Sequence, residues 1–67
     1  MDINMRLAIL YLISQYMHIT TVNGQKVYTH EHMSAGEYAF DILNLGEDFI
    51  SVKKIDKMIS ELEAKLW

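Results

Sequence analysis

Leu7 to Ile13 is an unbroken apolar run, and Ile3, Met5, Tyr16, Met17 and Ile19 extend it on both sides. Wound at about 3.6 residues per turn, the segment is apolar nearly all round, where an ordinary surface helix shows one stripe. Its length and its Leu, Ala and Met content favour a helix over a buried strand. The pattern predicts a helix from about Ile3 to His18, with Asp2 as N-cap beside the positive end of the dipole.

Polarity then changes from a helical to a strand rhythm. Ile19-Thr20-Thr21-Val22 and Gln25-Lys26-Val27-Tyr28-Thr29 flank Asn23-Gly24, the preferred pair for a two-residue type I′ turn. That turn sets Val22 opposite Gln25, Thr20 opposite Val27 and Ile19 opposite Tyr28. Neither face is strongly apolar and an isolated hairpin is marginal in water, so this one must dock on a helix.

A second helix is announced by a capping box, Ser34-Ala35-Gly36-Glu37, with Met33 and Tyr38 placed as a hydrophobic staple. Tyr38, Ala39, Ile42, Leu43 and Leu45 would form its apolar face, Phe40 would fall outside it, and Gly46 would end it as the left-handed residue. Glu47 to Ile50 reads as a short connection with extended character. The third helix follows, capped by Ser51 or Asp48. There Val52, Ile55, Ile59, Leu62 and Leu66 recur at alternating spacings of three and four, with Met58 widening the stripe, as in a helix packed in a bundle. Glu61 and Lys65 stand at the spacing of a surface ion pair. The predicted fold is therefore a small α+β domain, helix–hairpin–helix–helix and mostly helical, with residues 1–67 as a single domain.

Length sharpens this picture. A chain of 67 residues sits near the lower limit for a self-sufficient core, and with no cysteine it has no disulfide to help. The over-apolar first helix then points to self-association. A homodimer is expected, centred on that helix, with Leu7, Leu10, Tyr11, Ile13 and Met17 at the interface. Arg6, Ser14, Gln15 and His18 interrupt the helix too often for a membrane span. Asp2 stands where a signal peptide would be basic, and no small-residue cleavage site follows. A cytoplasmic protein without membrane contact is expected.

Charge is the next discriminator. The net charge is -3, but Glu31, Glu37, Asp41, Glu47 and Asp48 form a block with no Lys or Arg, while the rest of the chain carries a surplus of +2. Such a block is ordinarily a solvated helix face; as a functional feature it suits a basic protein surface. Glu37, Phe40, Asp41, Glu47 and Asp48 are the expected partner-binding residues, with Tyr28 and Trp67 as further exposed-aromatic candidates.

Other chemistry is thinly supplied. His18, His30 and His32 could approach one another at one end of the hairpin and hold zinc with Glu31, but closely spaced histidines are common in polar loops. No metal and no cofactor is expected. There is no cysteine nucleophile and no glycine-rich phosphate loop, and a chain this short has little room for a substrate pocket; a non-enzyme is expected. The acidic balance disfavours nucleic acid. The alternative to a protein-binding regulator is a dimeric DNA-binding regulator using the hairpin with Lys26, Lys53, Lys54 and Lys57. Size and charge are those of small acidic inhibitors encoded by phages and mobile elements, an analogy that no motif ties to a family.

Overall fold

The structure, a computed structural model, describes residues 2–30, 34–45 and 49–66, and the side chains of all of these but 34 and 35. Among the described residues, three helices accompany a three-stranded antiparallel sheet: α1 (Ile3–Tyr16), β1 (His18–Val22), β2 (Gln25–Thr29), α2 (Ser34–Ile42), β3 (Phe49–Ser51) and α3 (Val52–Leu66). The small α+β class and the order helix, hairpin, helix, helix are as the hydropathy pattern predicts.

Local signals set most element ends. Asp2 accepts a hydrogen bond from the Met5 amide at 2.8 Å, capping α1. The helix stops at Tyr16, two residues earlier than expected: Met17 turns extended and hands the chain directly to β1. The β-branched run from Ile19 to Val22 favours that extension, and pairing with β2 secures it. Asn23 (φ 51°) and Gly24 (φ 78°) form the turn, and the register is the predicted one, from His18 opposite Thr29 to Val22 opposite Gln25.

At the end of α2 the left-handed residue is Asn44 (φ 57°). Its amide bonds to the Asp41 carbonyl at 3.1 Å, and the Leu45 amide reaches the Phe40 carbonyl at 3.0 Å. This is a Schellman ending, with Leu45 folded back on the core. The expected terminator Gly46 lies outside the described residues, as do Met33 of the staple and the Ser34 side chain of the capping box. Phe49 to Ser51 forms a true third strand, with Ile50 opposite Tyr28 and Ser51 opposite Val27. Ser51 then caps α3, its hydroxyl accepting from the Lys54 amide at 3.0 Å. Strand and helix thus share one residue boundary. On α3, Glu61 approaches Lys57 at 3.9 Å in place of the expected Lys65; both side chains are exposed, so the pair contributes little.

The core corrects the expected dimer interface. Leu7, Leu10, Ile13 and Met17 are all buried within the single chain. Tyr28, Phe40, Leu43, Ile50 and Ile55 join the last three of them in one cluster. The chain supplies more cover for α1 than its length suggests because β3 completes the sheet and α3 packs along the helix. Of the five residues assigned to a dimer contact only Tyr11 is exposed, and its hydroxyl donates to Glu63 of α3.

Candidate interaction surfaces

The face that α2 shows to solvent is decided at Gly36. A Cβ there would come within 2.7 Å of the His30 Cβ and of the Met17 Sδ and Cε atoms. The first turn of α2 is therefore pressed onto Met17 and His30 where no side chain fits. Residues four and seven positions on, Phe40 and Leu43, consequently point inward. Phe40 is 2% exposed, and its ring meets the His30 imidazole edge to face at 4.9 Å. Tyr38, two residues before it and so on the opposite side of the helix, is 68% exposed.

The assignment of Phe40 to a partner surface is therefore corrected: it is a core residue, and Tyr38 takes the outward aromatic position. The glycine followed by aromatic and leucine at spacings of four and three was the signal for this inversion. Tyr28 is likewise buried. Burial pushes its phenol up, and the Asp56 carboxylate adds to the shift.

Glu37 and Asp41 are both exposed, one turn apart on the same side of α2, with Tyr38 beside them. An aromatic ring thus stands beside two carboxylates on a helix anchored through its opposite face. Glu31, Glu47, Asp48 and Trp67 lie outside the described residues.

Two further surfaces stand apart from α2. On α1, Met5, Leu12 and Tyr16 are exposed with Ala8 among them. The helix contains one charged residue, Arg6, which lies toward α3 beside Met58, Glu61, Leu62 and Lys65. Tyr11 ties the outer edge of α1 to α3 through Glu63; this hydrogen bond is the main cause holding its phenol above the ordinary tyrosine value, followed by desolvation and the carboxylate's charge. Between the hairpin tip and the start of α3 is an open cleft of about 510 Å³, lined by Asn23, Gly24, Gln25, Lys26, Val52 and Lys53.

The histidines do not converge as a ligand set: His18 is exposed on β1, His30 packs against Phe40, and His32 lies outside the described residues. Among the described residues no three His or carboxylate side chains gather at metal-holding distance, and no helix is long and apolar enough to cross a membrane. Compared with known proteins, the chain matches no family model, no curated protein and no solved structure.

Proposed function

We propose that this chain is a small non-enzymatic regulator or inhibitor that acts by stoichiometric binding to another protein, through the outer face of α2. The observation that carries the reading is Tyr38, exposed between Glu37 and Asp41 on a helix whose other face is locked into the core. A ring anchor costs little conformational entropy to immobilise. Carboxylates around it speed encounter with a basic surface and select against acidic ones. A basic target, for example the nucleic-acid-binding face of a protein, supplies the matching charge.

The test is capture from the native host with tagged chain and with Tyr38→Ala, followed by affinity measurement on the purified target. A basic protein held at one-to-one stoichiometry is expected. Tyr38→Ala should weaken it by about 2 kcal/mol, the scale of an interface hot spot, or about thirtyfold in Kd. A target whose affinity is indifferent to Tyr38→Ala and to Glu37→Gln/Asp41→Asn overturns the assignment.

A second reading, a dimeric DNA-binding regulator, is favoured by the cleft that sets Lys26 of the hairpin near Lys53 of α3. Its test is a gel shift on random duplex at low salt. Binding that falls steeply with salt, and is lost in Lys26→Ala/Lys53→Ala, supports DNA contact. No shift at high micromolar protein removes it.

A further inference from the structure

The outer strand of the sheet is chemically unusual for an edge. β1 lies at one end of the order β1-β2-β3, so among the described residues only one side of it is paired. His18, Ile19, Thr20 and Thr21 are all exposed, Ile19 at 49%. Ile19 to Val22 are four consecutive β-branched residues, the composition of strongest strand preference. Natural edges are commonly blunted by lysine, proline, an inward charge or a bulge. His18–Val22 contains no lysine, carboxylate or proline, and its register with β2 is unbroken.

The hairpin register also says which backbone groups are open. A two-residue turn makes Val22 and Gln25 a hydrogen-bonded pair, and the pattern alternates from there. Thr20 and His18 therefore bond inward to Val27 and Thr29. Thr21 and Ile19 turn their N–H and C=O groups away from β2. Among the described residues no other element bonds to these outward groups.

We propose that a second copy of this chain pairs along β1, antiparallel, about a two-fold axis through Thr20. The open groups sit one residue either side of Thr20, so the two-fold matches them to themselves. The Ile19 amide donates to the Thr21 carbonyl of the other copy, the amide of that Thr21 donates back to the Ile19 carbonyl, and the symmetric pair repeats the exchange. Over the two copies, all four outward donors and all four outward acceptors are satisfied by this register. The two three-stranded sheets become one of six.

Charge favours a copy over any charged foreign strand. The only titratable side chain of β1 is His18, and the two-fold carries the two His18 residues to opposite ends, each against Val22. An acidic or basic peptide would find no counter-charge on this strand, whereas the copy brings no unmatched charge. The interface does not involve Tyr38, Glu37 or Asp41, so it stands or falls independently of the α2 reading. A pair of five-residue strands buries an area at the low end for specific association, so a concentration-dependent equilibrium follows.

The experiment is sedimentation equilibrium of the full chain from about 1 to about 200 µM, the range suited to a small interface, with hydrogen exchange at both ends of the range. A monomer–dimer equilibrium is expected, and the Ile19 and Thr21 amides should exchange at least about tenfold more slowly at the high end. Ile19→Lys places a gatekeeper charge at an exposed position. Thr21→Pro removes an amide that β2 does not use. Each should weaken dimerisation at least about tenfold while the hairpin is retained; if Thr21→Pro does not fold, Ile19→Lys and the two amides decide. A chain monomeric throughout overturns the proposal and leaves the edge to a foreign strand. A dimer with the same Kd in the folded variants, or with unprotected Ile19 and Thr21 amides, overturns it and moves the contact elsewhere.

Discussion

Gly36 and Phe40 show how a single residue without a side chain orients a helix. Alanine is ordinarily the better helix former by about 1 kcal/mol, so Gly36→Ala would stabilise an exposed helix. Here the added methyl meets the His30 Cβ at 2.7 Å, a neighbour that cannot swing aside as the Met17 thioether can. Overpacking of this kind costs about 1–3 kcal/mol, enough to outweigh the propensity gain. Gly36→Ala should therefore lower stability in urea denaturation by a net ~1 kcal/mol, whereas Phe40→Ala, which empties a fully buried site, should lower it by ~3–5 kcal/mol. For a domain whose total stability is of order 5–15 kcal/mol, the second change takes a large share. Had Phe40 been a surface residue, its truncation would cost little and Gly36→Ala would raise stability instead of lowering it.

Among the elements, α1 and α3 are joined at the surface as well as in the core. The Tyr11 hydroxyl donates to Glu63, and that bond is the first cause raising the Tyr11 pKa. A phenol whose folded pKa lies above its unfolded value adds stability that is complete below about pH 10, the unfolded tyrosine value, and is lost as pH rises through the folded value. The Tyr11 contribution, read as the difference between wild type and Tyr11→Phe, should titrate above the ordinary range when followed by phenolate absorbance. Glu63→Gln removes the charge and should return it toward the ordinary value. An unchanged Tyr11 titration in Glu63→Gln would show that the clasp is not made in solution. The same helix illustrates a limit of pattern reading: an element apolar on nearly every side contains no internal instruction about which side faces the core.

At the level of the whole molecule, α2 and the cleft at the hairpin tip carry opposite charges, while α3 mixes both signs. The described carboxylates of the acidic block sit on the outside of α2, while Lys26 and Lys53 meet at the hairpin tip and the start of α3. The α1 face carrying Met5, Leu12 and Tyr16 and the edge of β1 are neutral. Each surface therefore suits a different kind of contact, and the proposed pairing along β1 leaves the α2 face of both copies free. Two copies would then present two Tyr38 anchors, a bivalent arrangement whose apparent affinity for a dimeric target exceeds that of either site alone.

Asp2, Asn23-Gly24 and Ser51 did in the structure what their residue types promise, because a cap or a tight turn is completed within three or four residues of chain. The hairpin register, the three helices and the absence of any span-length apolar helix among the described residues were legible for the same reason. Burial was not. Whether Tyr38 or Phe40 faces inward depends on Met17 and His30, which come from other parts of the chain. The third strand exists because Ile50 finds Tyr28 twenty-odd positions away, and a three-residue stretch has no local preference strong enough to announce it. Local chemistry wrote the elements; contacts between distant residues chose their inner faces, and with them the surfaces left for binding.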